Sequence, residues 1–147
     1  MKKSHGPVVF FVGAGPGDPD LITVKGLALI ETADMLVYAG SLVNHALVAQ
    51  SKAAICLDSW GMNREEIIVK KEHYAKAGKK VVRLHSGDPS LFGAIAEQIA
   101  ELKKRGISAE IVPGVSSLSA AAASLQIELV LNGVTDAVVI TRPAGKT

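Results

Sequence analysis

The first residues that could do chemistry lie in the run Val12-Gly13-Ala14-Gly15-Pro16-Gly17-Asp18-Pro19-Asp20-Leu21-Ile22-Thr23. It follows an apolar run, Val8–Val12, and opens into an apolar-periodic segment, which is the setting of a ligand-cradling turn. A dinucleotide fingerprint needs glycine at its first, third and sixth positions, the last so that helix and strand can pack closely. Gly13 and Gly15 fill the first two, but Asp18 fills the sixth, where its carboxylate would also face a pyrophosphate. The run therefore reads as a ligand loop of another kind. Two further glycine loops are Ser86-Gly87-Asp88-Pro89-Ser90 and Pro113-Gly114-Val115-Ser116-Ser117. Gly87 would let backbone approach a ligand. Asp88 could accept hydrogen bonds from a ribose or an amine, or simply cap a helix beginning at Ser90. In Tyr38-Ala39-Gly40-Ser41-Leu42-Val43, Tyr38 and Ser41 could face a polar substrate, and Tyr38 suits a core position equally.

Other chemistries find less support. Gly145-Lys146-Thr147 ends like a phosphate-binding loop, but that loop needs a glycine where Ile140 stands. His5, His45, His73 and His85 are scattered without metal-ligand spacing, so no metal is expected. His85, at a strand end beside the second loop, could touch a bound ligand, but reads first as a solvated or hydrogen-bonded histidine. No Gly-x-Ser-x-Gly elbow supports a triad built on Ser86 or Ser116.

The elements that must position these loops alternate. Strands are expected at Val8–Val12, Met35–Tyr38, Ala54–Leu57, Lys80–Leu84 and Ala109–Val112. Helices are expected at Asp20–Ala33, capped by Asp18, Asp20 or Thr23, at His45–Gln50, from Asn63 to about Ala77 with Gly78 as the stop, and at Ser90–Arg105 with Leu91, Ile95, Ile99 and Leu102 as its apolar stripe. An Ala-rich helix is expected from Ser116 to about Leu125. The fold class is therefore α/β: an open, mostly parallel five-stranded sheet with helices on both faces. In such sheets ligands bind beyond the carboxyl ends of the strands, where the glycine loops should converge. Residues 1–129 read as the N-terminal domain, and 130–147 as a linker and the first strand, Ala137–Thr141, of a second domain that the chain enters but does not complete.

Composition bounds the rest. The chain has 147 residues, 48% apolar and 4% aromatic, with a net charge of +2. That supports a buried core but neither a base-stacking surface nor a phosphate-backbone footprint, so no nucleic-acid partner is expected. No apolar run is long enough for a membrane helix. The single Cys56 excludes an internal disulfide and reads as a buried or half-buried thiol, which fits a reducing cytoplasm.

In order and content, the three glycine loops resemble the signature of the tetrapyrrole (corrin and porphyrin) methylases. The Tyr38–Val43 run and Pro113–Ser117, followed by Ala120–Ala123, are most similar to the branch that methylates ring carbon 11 of precorrin-4 or cobalt-precorrin-4 in cobalamin synthesis. The resemblance covers essentially the whole chain. It implies two α/β domains, S-adenosyl-L-methionine bound between them, a small tetrapyrrole substrate and a homodimer. By motif position it implies cofactor contacts from Pro16, Ser86, Gly87, Asp88, Leu91, Ser116 and Ser117, and leaves Tyr38 and Ser41 as substrate-facing candidates with no acid or base named. It also implies that half of the cofactor site lies beyond this chain, which alone should be inactive. Alternatives are another ring methylase, such as a uroporphyrinogen-III or precorrin-2 enzyme, a dinucleotide-dependent oxidoreductase with Asp34 as its ribose acid, or a non-catalytic binding module.

Overall fold

The computed structural model describes residues 6–141. His5 and the Gly145-Lys146-Thr147 motif lie outside the described residues. The chain runs through β1 (Val8–Gly13), α1 (Val24–Glu31), β2 (Met35–Tyr38), α2 (His45–Val48), β3 (Ile55–Asp58), α3 (Arg64–Lys76), β4 (Val81–His85), α4 (Ile95–Lys104), β5 (Ser108–Val112) and α5 (Ser117–Leu125). The strands form one sheet in the order β3-β2-β4-β1-β5, and every neighbouring pair is parallel.

β1, β2 and β4 are nearly continuous apolar runs because both sheet faces are covered. Val9, Phe11, Met35, Val37 and Val81 pack on one face with Ile68 and Ala75 of α3 and Ile95 and Leu102 of α4. Val12, Leu36, Val82 and Leu84 point the other way and pack with Ile30 of α1 and Leu47 of α2. The connections leaving adjacent β1 and β4 therefore run over opposite faces and in opposite directions. α3 has the expected boundaries. Asn63 accepts the Glu66 N–H (2.9 Å), Glu66 reaches back to the Asn63 N–H (3.3 Å), and Gly78 follows the last turn with φ +73°. Replacing Asn63 by Ala removes this reciprocal cap and should cost about 1 kcal/mol, read as a lower urea midpoint at unchanged m.

Two helices start later than their periodicity suggests. Asp18 accepts the Asp20 N–H and holds a 3-10 turn over Pro19–Leu21. Ile22 and Thr23 are extended, and α1 begins only after the Thr23 hydroxyl takes the Gly26 N–H. The helix expected from Ser90 begins at Ile95, because Phe92 (φ +56°) and Ala94 (φ +48°) are left-handed and cannot continue a right-handed helix. Leu91 consequently leaves the apolar stripe and is exposed, while Ile95 and Leu102 remain buried. Cys56 is exposed rather than buried. It lies on the edge strand β3, with Ile55 and Leu57 packed toward the α3 face and the thiol on the opposite, open face.

Contacts divide the chain into a unit ending at Ser117, which holds the whole sheet and α1 to α4, and a unit from Leu118 onward. In the second unit, α5 closes through the Ile127 N–H on the Ala122 carbonyl (3.1 Å), with Gln126 left-handed at φ +56°. Residues 137–141, expected as a strand, form no ladder. Their β-branched composition does not by itself give their backbone groups a partner strand.

Candidate functional site

The carboxyl edge of the sheet brings three glycine loops into direct contact. The Ala14 N–H donates to the His85 carbonyl (2.7 Å), the Gly87 N–H to the Gly15 carbonyl (2.7 Å), and the Gly15 N–H to the Gly87 carbonyl (3.3 Å). The first loop is thereby stitched to the second. Asp88 stitches the second to the third: Oδ2 accepts the Gly114 N–H (3.0 Å) and Oδ1 the Ser90 N–H (2.7 Å). The backbones touch so closely that a Cβ on Gly13 would sit 2.5 Å from Gly114 Cα and 2.6 Å from the Gly87 carbonyl oxygen. That proximity, rather than turn geometry, is why glycine is needed at position 13.

The structure brings most of the sequence-nominated residues to this edge. Pro16 is half-buried between Gly15 (φ +78°) and Gly17 (φ +129°). The Gly17 carbonyl accepts a bond from Asn44 Nδ2 (2.8 Å), the residue that caps α2. Gly87 is left-handed (φ +59°), and the position of a Cβ on it lies 4.0 Å from Ser116 Cα and 3.9 Å from the Ser117 nitrogen. Ser86 and Leu91 line a cleft of about 270 Å³ beside this junction. Asp88 stands among them with both carboxylate oxygens already accepting backbone N–H groups, so it shapes the site whatever else it binds. The other two candidates stand apart. The Tyr38 ring packs in the α1/α2 core, edge-on to His45 at 6.1 Å. Ser41 is exposed, and the cleft walls from its loop are Ala39, Leu42 and Val43.

Sequence reasoning missed Arg83 and Lys71 under the same cleft, and expected a solvated or hydrogen-bonded His85 where the ring's Nε2 is buried without a partner among the described residues. Arg83 and His85 line it with Gln98. Arg83 Nη1 donates to Ser59 Oγ (2.7 Å), which in turn donates to the Tyr38 carbonyl (2.9 Å). Lys71 is fully buried, with Nζ donating to Gln98 Oε1 (2.7 Å) and lying 5.0 Å from the Phe11 ring centroid. The His85 ring is 5.8 Å from that of Phe11. Arg83 Nε and His85 Nε2 are buried without a hydrogen-bond partner among the described residues. One signal was available: Arg83 is the only charge inside the apolar run Val81–Leu84.

Burial, and then the Arg83 charge, pushes Lys71 down to about 7. Burial, and then Arg83 and Lys71, pushes His85 down to about 3. Both groups bind a proton more readily in the unfolded chain, so each makes stability rise with pH between its folded and unfolded values. For Lys71 that window runs from about 7 to the ordinary lysine value. Unfolding free energies measured between pH 7.5 and 9.5 should therefore rise, and the rise should flatten in Lys71→Met. An unchanged slope in that variant would exclude Lys71 as its source.

The glycine loops have a chemical bias. Across residues 13–18, 86–90 and 113–117 the only charged side chains are Asp18 and Asp88; no Lys or Arg is present. Those two carboxylates fit a neutral or positively charged nucleoside better than a pyrophosphate. This is the electrostatic character of a sulfonium-bearing cofactor, and the residues present fit one.

Comparisons with known proteins agree with this bias. Residues 8–147 match the family model described as Tetrapyrrole (Corrin/Porphyrin) Methylases. The chain is 59% identical over 140 residues to a cobalt-precorrin-4 C(11)-methyltransferase of Methanocaldococcus jannaschii, covering 95% of this chain and 54% of that protein. A solved structure of a cobalt precorrin-4 methyltransferase, described as a cobalamin biosynthetic enzyme, superposes with a TM-score of 0.91 at 48% identity, over 95% of this chain and 59% of the other. A uroporphyrin-III C-methyl transferase from Thermus thermophilus, complexed with S-adenyl homocysteine, gives 0.70 at 35% identity, over 86% and 51%. The chain spans about half the length of the curated relatives it matches.

Proposed function

The chain belongs to the tetrapyrrole (corrin/porphyrin) methylases, and on that premise we propose that the whole protein transfers a methyl group from S-adenosyl-L-methionine to ring carbon 11 of precorrin-4 or cobalt-precorrin-4 in cobalamin biosynthesis. The observation that carries this reading is the 59% identity to a cobalt-precorrin-4 C(11)-methyltransferase across 95% of the chain. A ring methylase of the uroporphyrinogen type has the weaker support of a lower structural similarity. A dinucleotide oxidoreductase is disfavoured by Asp18, which stands where that fingerprint needs its third glycine. In this reading residues 1–129 form the first domain and 130–147 lead into a second. The protein works as a cytoplasmic homodimer on a small tetrapyrrole. Among the described residues no helix is long and apolar enough to cross a membrane.

When bound, S-adenosyl-L-methionine supplies a methyl group already activated on a sulfonium, for direct displacement by an electron-rich ring carbon. The chain's own contribution is placement, which can be worth several kcal/mol of a barrier. Pro16, Ser86, Gly87, Asp88, Leu91, Ser116 and Ser117 are the residues that would hold the cofactor. Asp88 fixes the spacing of the second and third loops through Gly114, and its negative charge favours a cationic neighbour. Tyr38 and Ser41 remain candidates for the substrate side, Ser41 through its exposed hydroxyl. Calorimetric titration of the whole protein with S-adenosylhomocysteine and, separately, NADH tests the reading. Saturable binding of the homocysteine product alone is expected, and NADH binding without it would refute the proposal. In Asp88→Ala the product should bind at least about tenfold more weakly, the effect of losing one hydrogen bond to a charged group.

A further inference from the structure

Arg83 and His85 make the floor of the 270 Å³ cleft beside the glycine loops, and Lys71 lies behind it through Gln98. Three basic side chains thus share one buried region. The acid that acts on Arg83 is Asp58, but Asp58 is exposed and Oδ1 is already held by the Gly40 and Trp60 N–H groups (3.0 and 2.9 Å). Buried cations are ordinarily paired, because an unpaired one carries a desolvation cost that nothing repays. Here Arg83 is 9% exposed; its Nη1 meets only the neutral Ser59 hydroxyl, and its Nε has no partner among the described residues. His85 Nε2, on an imidazole that burial keeps neutral, also lacks a hydrogen-bond partner among the described residues. The rim above them is apolar, with Leu42, Leu91 and Phe92 exposed. An apolar rim over a cationic floor suits an acidic group carried on an apolar body, and a guanidinium is the side chain best shaped for a carboxylate.

We propose that this cleft is a carboxylate subsite, in which one acidic side chain of the tetrapyrrole enters between Leu42, Leu91 and Phe92, is neutralised by Arg83 and is hydrogen-bonded by His85 Nε2. The proposal rests on the reading of the substrate as a tetrapyrrole, and requires that this ring carry at least one carboxylate side chain. Its second consequence is orientation: an acid held under β4 fixes which edge of the ring faces the glycine loops. The left-handed Phe92 and Ala94 serve this arrangement, because they delay α4 and swing Leu91 and Phe92 over the cleft instead of into the helix.

Uroporphyrin III, a stable polycarboxylated ring, serves as the probe, with binding to the whole protein read by fluorescence quenching. Two variants are needed. Arg83→Gln removes the charge. Gln98→Glu leaves Arg83 in place and supplies an internal carboxylate next to Lys71 Nζ, a change that should preserve or strengthen the fold while competing with the ligand acid. Both should weaken uroporphyrin binding at least about tenfold, the scale of one charge-assisted hydrogen bond, and leave S-adenosylhomocysteine affinity within about twofold. If Arg83→Gln fails to fold, Gln98→Glu decides. A folded Gln98→Glu protein with unchanged uroporphyrin affinity overturns the subsite, as does wild-type protein that binds the homocysteine product but not uroporphyrin. Wild-type protein that binds uroporphyrin but not the homocysteine product sinks the methyl-transfer reading and leaves the subsite standing.

Discussion

Gly13→Ala is expected to abolish measurable S-adenosylhomocysteine binding and to destabilise the protein by about 3 kcal/mol or more, at the upper end of overpacking costs. The added Cβ meets Gly114 Cα at 2.5 Å and the Gly87 carbonyl at 2.6 Å. Both are backbone atoms, so no rotamer change relieves the clash. Relief requires separating the first loop from the second and third, which breaks the Gly15–Gly87 bonds or the Asp88–Gly114 bond. Stability and binding should therefore fall together. Gly78→Ala is the control. It places Ala at φ +73° with no neighbouring atom within 4 Å of its Cβ, far from these loops in the fold, at the end of α3. It should cost about 1 kcal/mol and leave binding unchanged. Gly13→Ala protein that binds the homocysteine product with wild-type affinity would show that the loop contact does not shape the site.

Phe11→Ala has the largest expected effect on the fold alone, about 3–5 kcal/mol. Phe11 is fully buried in a central strand, in the cluster shared with α3 and α4. Its ring also stands against both Lys71 Nζ and His85. Truncation opens a cavity and removes the aromatic face from a buried ammonium, so the cost should lie nearer the top of that range than for an aliphatic neighbour of similar burial. Urea unfolding of Phe11→Ala beside Ile68→Val separates the two. A Phe11→Ala cost no greater than that of Ile68→Val, for which about 0.5–1.5 kcal/mol is ordinary, would contradict this account of the core.

The sheet was legible because its central strands are nearly continuous apolar runs, and Thr23, Asn44 and Asn63 cap the helices that follow β1, β2 and β3. Asn63 with Glu66, and Gly78 behind them, marked α3 almost to the residue. Helix starts were harder to read where side chains capture the backbone first. Asp18 and Thr23 hold the chain before α1, and Asp88 with two left-handed residues delays α4. Periodicity registers apolar spacing and is blind to both devices. The convergence of the glycine loops followed from topology, but the role of Asp88 as a tie to Gly114 depends on which strands are neighbours, and β1 stands between β4 and β5. The basic group was invisible for a related reason. Lys71, Arg83 and Gln98 come from α3, β4 and α4, and only packing on one sheet face brings them together. Cys56 went the other way: an apolar run predicted burial, while the open face of an edge strand left the thiol exposed.

The central claim is methyl transfer to one ring carbon from a cofactor held at the carboxyl edge of this sheet. The most direct test is incubation of the whole protein with S-adenosyl-L-methionine carrying a carbon-13 methyl group and, in parallel, precorrin-4 and cobalt-precorrin-4, followed by mass and carbon-13 NMR analysis of the product. The account predicts one labelled methyl group, on ring carbon 11, with at least one of the two substrates. A labelled methyl on any other carbon, or none with either substrate, would contradict it.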